Sequence, residues 1–159
     1  MKTTVCALFV LMVSLTAGHG ARANDRANAH LATRVLLEKM AAGRFDRVDE
    51  IYGPGFVAHG STGDFNLEED NASAKAWRAA FPDLSVNIER TVSNDNLVAV
   101  HWTMAGTNTG KDAGMPGKGA RVSVQGMSMF RFSKGHIVEE WTLVDIASLM
   151  TQLELGGGT

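Results

Sequence analysis

The chain has 159 residues, with 15 Lys and Arg against 17 Asp and Glu and a formal net charge of −2. That length suits one domain with a single core, and the mild negative balance, with no concentrated basic face, argues against a nucleic-acid partner. The single cysteine is Cys6, so disulfides, thiolate metal sites and cysteine nucleophiles are excluded from the rest of the chain.

The first residues have the layout of a secretory signal. Met1-Lys2 is a short positive start, Val5 to Leu15 is an apolar run broken only by Ser14, and Ala21-Arg22-Ala23 is the small-x-small pattern read by signal peptidase. The apolar stretch is short for a bilayer span, and the alternative is a retained membrane anchor. Cys6 lies at the start of that stretch, whereas a lipid-bearing cysteine would sit at its end. Residues 1–23 are therefore expected to be removed, leaving 24–159 as one exported domain, periplasmic or secreted and free of the membrane. A cysteine-free product fits an oxidising compartment.

Asn24-Asp25 can cap a helix running to about Ala42, in which Leu31 and Val35, then Leu36 and Met40, form one apolar side while Arg34, Glu38 and Lys39 stay solvated. Gly43 ends it. Phe45, Val48 and Ile51 mark a short second helix that stops at Gly53-Pro54. Phe56-Val57-Ala58-His59 is a brief extended piece, and Asn66-Leu67-Glu68-Glu69 reads as a capping box opening a third helix with Ala74, Trp77 and Phe81.

The period then changes from helix to strand. Leu84, Val86 and Ile88 alternate with polar residues, Ser93 to Asn96 is a turn, and Leu97 to Thr107 is a long strand. A glycine-rich connection, Gly110 to Gly119, leads to a strand over Val122 to Phe132. Ser133-Lys134-Gly135 is a tight turn and His136 to Val144 the last strand. Ile146, Leu149, Met150 and Leu153 suggest a short terminal helix, with a frayed end over Gly156 to Thr159. Three helices followed by antiparallel strands is an α+β order. A strongly curved sheet of this kind leaves a hollow beneath its helices.

Several segments, in this order and spacing, resemble the SnoaL-like polyketide cyclase family of the nuclear-transport-factor-2-like superfamily. They are Gly43-Arg44-Phe45-Asp46, Tyr52 to His59, Phe81-Pro82-Asp83-Leu84, Val100-His101-Trp102-Thr103 with Gly106 to Gly110, and Gly135 to Trp141 with Asp145 four residues on. The resemblance implies a cone-shaped α+β barrel with three N-terminal helices on a strongly curved, mostly antiparallel sheet enclosing one pocket. It also implies cofactor-free chemistry, a small apolar ligand or substrate, and a homodimer formed through the open sheet face. Two positions depart from the family pattern: its turn histidine is Asn108 here, and the arginine usual before the strand tryptophan is His101. Arginine holds an anion permanently, whereas histidine titrates near neutrality.

Alternation on the last strand places Ile137, Glu139, Trp141, Leu143 and Asp145 on one side, and the tryptophan makes that the expected inward side. Asp145 at the pocket's edge is then the expected acid/base, with His59 or His101 as hydrogen-bonding partner to a developing oxyanion. The alternative for Asp145 is a simple N-cap of the terminal helix. His101 shares a side with Thr103 and Ala105, opposite Val100, Trp102 and Met104, and either side could face the pocket. The expected lining is Phe56, Trp77, Phe81, Met127, Met129, Glu139 and Trp141, the methionines as adaptable walls; plain core packing is the alternative for most of these.

Other chemistries find no support. In Gly114 to Gly119 the required upstream glycine of a phosphate loop falls on Asp112, and Gly119 follows Lys118 where Ser or Thr should stand. No histidine pair has metal-ligand spacing and no nucleophile elbow occurs. The expected function is acid/base chemistry without metal or cofactor on an apolar carbonyl compound: aldol-type cyclisation, isomerisation or a related reaction. The alternatives are a non-catalytic binding module for a hydrophobic metabolite and a dimeric interaction domain.

Overall fold

A computed structural model describes residues 17–60 and 63–155. Most of the expected signal segment and the expected frayed end at 156–159 lie outside the described residues; Ala17 to Ala23 form the start of the first helix. Among the described residues no helix is long and apolar enough to cross a membrane.

Helix α1 (Ala17–Arg34) continues into a wider π-helical stretch, Val35–Ala41, that buries Val35, Leu36 and Lys39. The expected solvated position of Lys39 is thereby corrected: its side chain is only 2% exposed. It stands four residues after Val35 and three after Leu36, which puts it on the same helical side as both. The expected second helix is two short tight turns, Phe45–Arg47 and Asp49–Ile51. They lead into β1 (Tyr52–Gly60), which forms a hairpin with β2 (Gly63–Phe65). Helix α2 (Leu67–Ala80) opens on the expected capping box: Asn66 accepts from the amides of Glu68 and Glu69, and Glu69 accepts in return from the Asn66 amide at 2.9 Å.

The remaining strands are β3 (Ser85–Asn94), β4 (Leu97–Asn108), β5 (Ala120–Ser133) and β6 (His136–Val144), followed by α3 (Ile146–Leu155). The sheet has six strands in the order β2-β1-β6-β5-β4-β3. All pairs are antiparallel except β1 with β6. The β5–β6 hairpin turns on Lys134 (φ 50°) and Gly135 (φ 80°), the two successive positive-φ positions of a turn whose twist suits a hairpin.

One face of the sheet is the core. Val98, Val100, Trp102 and Met104 on β4 and Val122, Val124, Ser128 and Phe130 on β5 are buried on that side beneath the helices. Helix α2 is tied to the sheet at its exit, where Asp83 accepts from the Thr107 amide at 2.6 Å and the Thr107 hydroxyl at 2.8 Å. Asn108 is fully buried, donates to the carbonyls of Ala80 and Gly110 and accepts from the Gly117 amide. At the end of β4 it therefore anchors the glycine-rich connection to α2.

Trp102 sits opposite Gly126 on β5. A Cβ at Gly126 would lie 2.1 Å from the outer edge of the indole, so the ring can cross β5 only because no side chain stands there. Gly126→Ala should destabilise the fold by about 1–3 kcal/mol, the usual cost of overpacking a filled core. Urea unfolding of the variant beside wild type measures this; an unchanged midpoint would mean that the indole has another place to go.

Candidate active site

A cavity of about 190 Å³ lies between the sheet and the helices. Leu36 and Met40 come from the π-helical stretch, Asp70, Ser73, Ala74 and Trp77 from α2, and Phe65 from β2. The sheet supplies Trp102 and Met104 from β4, Ser128 from β5, and Glu140, Thr142 and Val144 from β6. His59 and Gly60 complete the rim.

The side of β6 that faces this cavity is the opposite of the one expected. Phe132 pairs with Ile137 but Arg131 pairs with Glu139, so Val138 is an extra residue and the register slips by one. Ile137 is fully buried on the core side; beyond the bulge the even-numbered residues face inward. A bulge places two residues opposite one and reverses the alternation of everything after it. Trp141 and Glu139 therefore stand on the outer face, as do Met129, opposite Trp141, and Met127, opposite Leu143 and 51% exposed. None of these four residues lines the cavity.

Of the three expected catalytic residues, His59 alone touches the cavity. Its Nδ1 lies 2.9 Å from Asp64 Oδ1, and its ring stacks on Trp141 with centroids 4.8 Å apart. The hydrogen bond to Asp64 raises its pKa, with a smaller contribution from Glu139, 3.5 Å from Nε2. Glu139 also pairs with Arg131, whose guanidinium lies over the Trp141 ring. His101 is on the outer face, bonded to Gln125 at 3.1 Å. Asp145 is exposed and caps α3, accepting from the Ser148 amide at 3.0 Å. Phe56 and Phe81 are core residues, packed against Tyr52 and Trp77 respectively, and Trp77 is itself in the cavity wall.

The cavity's polar side is a chain of hydrogen bonds ending on Glu140. Trp102 Nε1 donates to Ser128 Oγ at 3.1 Å, the Ser128 and Thr142 hydroxyls are 2.7 Å apart, and Thr142 Oγ1 donates to Glu140 Oε1 at 2.8 Å. Thr142 has one hydroxyl proton and donates it to Glu140 Oε1, so it accepts from Ser128, which in turn accepts from the indole N–H. Glu140 Oε1 is thus held as an acceptor. Glu140 Oε2 is buried and has no partner among the described residues.

A second acid stands close by. Asp70 lines the cavity and is ion-paired with the buried Lys39, whose ammonium also donates to the Tyr52 hydroxyl at 3.2 Å. Burial pushes the Glu140 pKa up to about 7, and the negative charge of Asp70 adds to the rise; Lys39 and the Thr142 bond pull against it. Neither Glu140 nor the Lys39–Asp70 pair stands out in the sequence. Lys39 had one available signal, its place on the apolar stripe of its helix.

The profile of the SnoaL-like polyketide cyclases matches residues 30–153. The chain belongs to this family. Among solved structures, a SnoaL-like polyketide cyclase assignment from Jannaschia sp. CCS1 aligns with TM-score 0.75 at 25% identity, over 81% of this chain and 92% of its own. TsrD from Streptomyces laurentii gives 0.73 at 23%, over 84% and 98%. A SnoaL-like polyketide cyclase from Agrobacterium tumefaciens C58 gives 0.67 at 20%, over 79% and 97%. No curated protein matches the sequence. The family's cone-shaped α+β fold is therefore shared.

A carboxyl with a pKa near 7 in the folded protein, against an ordinary 4.5, binds its proton more tightly folded than unfolded. Its contribution to stability is then fully present below about pH 4.5 and is lost as pH rises to about 7. The loss is on the order of 3 kcal/mol at one pKa unit per 1.4 kcal/mol. Glu140→Gln removes the titration while keeping the shape. Urea unfolding of both proteins at several pH values should show the variant gaining about 3 kcal/mol on wild type between acid and alkaline pH; a constant difference would mean that Glu140 titrates normally.

Proposed function

We propose that this protein is a cofactor-free acid/base enzyme of the cyclase and isomerase type, acting on a small apolar carbonyl compound, with Glu140 as the group that moves the proton. The observation that carries this is the buried Glu140 Oε2, which has no partner among the described residues, at the wall of an apolar cavity. A general base works best when its pKa lies near the working pH, because it is then free to take a proton and able to return it. Glu140 meets that condition.

In this reading Oε2 removes a proton from the carbon next to a substrate carbonyl, and an enolate forms. The electron pair then attacks a second carbonyl in an aldol closure, or is reprotonated elsewhere in an isomerisation. In each case Glu140 returns the proton, to the new alkoxide or to carbon, so no external acid or oxidant is required. The hydroxyl chain from Trp102 holds Oε1 in place and leaves Oε2 as the reacting oxygen. His59 at the rim is the candidate partner for the developing oxyanion: Asp64 holds its Nδ1, and its Nε2, 3.5 Å from Glu139, has no hydrogen-bond partner among the described residues. Export to the periplasm or outside the cell and a homodimer belong to the same proposal. The dimer is supported by an outer sheet face carrying Val92, Met127 and Leu143, with Leu143 75% exposed. Sedimentation should then give a dimer that Leu143→Glu dissociates; a monomeric wild type removes that part.

Proton transfer is read directly as deuterium uptake from D2O at the carbon next to the carbonyl of acetophenone, followed by NMR. Wild type should accelerate it, with a rate rising through about pH 7. Glu140→Gln should lower it by about 100-fold or more. Exchange that persists in the variant would remove Glu140 as the base, and ligand binding without exchange in wild type would favour the non-catalytic binding module.

A further inference from the structure

The cavity's size and charge restrict what it can hold. An apolar cavity of roughly 150 Å³ accommodates benzene, while drug-sized ligands occupy clefts of about 300–1,000 Å³. At about 190 Å³, this cavity has room for one ring and a short substituent. Trp77 from α2 and Trp102 from β4 give its walls aromatic surface, and Met104 and Val144 add apolar surface.

Among the described residues, the cations beside the cavity already face carboxylates or carbonyls. Lys39 is spent on Asp70 and the Tyr52 hydroxyl. Arg78, at the end of α2, donates to the carbonyls of Met40 and Ala41. His59 stands at the rim between two carboxylates, Asp64 and Glu139. An entering carboxylate would meet the carboxyls of Asp70 and of Glu140, whose charge burial already disfavours, and like charges repel. An uncharged oxygen is different. A carbonyl accepts from Glu140 Oε2 when that acid is protonated, and a hydroxyl donates to it when it is ionised, and either satisfies the orphaned atom.

We infer that the substrate of this site is an uncharged, single-ring-sized carbonyl or hydroxyl compound, and that the cavity rejects both carboxylates and fused multi-ring molecules. This rests on reading the Glu140 cavity as the substrate site. It narrows that reading, since a family grouped by polyketide cyclisation would lead one to test large polycyclic acids and esters first. The cavity selects against both properties.

The test measures binding to the full protein by quenching of tryptophan fluorescence, since Trp77 and Trp102 both line the cavity, with calorimetry as an independent readout. Four probes separate size from charge: acetophenone, benzoate, benzylamine and the three-ring ketone anthrone. Acetophenone should bind, and benzoate should bind at least about tenfold more weakly at pH 8. Anthrone should show no saturable binding. Glu140→Gln should recover most of the benzoate deficit, and Ala74→Leu, which fills the wall, should abolish acetophenone binding. If Ala74→Leu fails to fold, Ser73→Leu on the same wall serves instead.

Anthrone binding as tightly as acetophenone would overturn the size limit. Benzoate binding as tightly as acetophenone, or benzylamine binding more tightly at every pH, would overturn the charge limit. Failure of acetophenone to bind overturns the inference as a whole. These outcomes separate from the proton-transfer reading. If acetophenone binds as expected but never exchanges deuterium, the base assignment fails and the selectivity stands. If a larger ketone exchanges through Glu140, the selectivity fails and the base assignment stands.

Discussion

The arrangement of the site depends on a single inserted residue. Val138 has no place in the ladder between β5 and β6, and the slip it causes decides which side chains of the last strand face inward. Without the bulge, Ile137 inward would bring Glu139 and Trp141 inward as well, because side chains alternate strictly along a strand. With it, Ile137 still fills the core and Glu140, Thr142 and Val144 line the cavity. One residue thus lets the strand close the core near the hairpin and deliver a carboxyl to the cavity further along.

The delivered carboxyl is costly to bury, and its surroundings meet only part of that cost. The Thr142 hydroxyl satisfies Oε1, Lys39 offsets some of the repulsion from Asp70, and Oε2 has no partner among the described residues. An unpaired buried oxygen is destabilising, and a fold has little reason to keep one unless it is used. Trp102 illustrates the support that such a group requires. Its indole crosses β5 at Gly126 and anchors Ser128, which holds Thr142, which holds Glu140. The Glu140 carboxyl is positioned by Trp102, Ser128 and Thr142, drawn from three adjacent strands.

Family membership and chemistry are separate findings. The fold is shared with SnoaL-like proteins at 20–25% identity, and a shared fold hosts many reactions. What a member does depends on which polar groups its cavity holds and how much room they leave. Here the two acids and their buried lysine come from α2, β6 and the first helix, so the site belongs to the packing of the whole domain rather than to one motif.

The sequence alone determined the parts of this protein that follow from local periodicity. The capping box at Asn66, the β3–β4 and β5–β6 hairpins and the α+β order all rest on residues close together in the chain, and they were legible for that reason. The family was legible too, from short segments spread along the domain. The site was legible only in part: Trp77 and His59 do line the cavity, but the expected acid, Asp145, caps a helix and the expected inner face of β6 is the outer one. Only the tertiary structure could decide this, because a bulge is set by pairing with another strand. Nothing within His136 to Val144 says that Arg131 and Phe132 across the ladder will leave Val138 unmatched. The pairing of Lys39 with Asp70, 31 residues apart, is likewise a product of packing the first helix against α2, and local sequence carries no record of it.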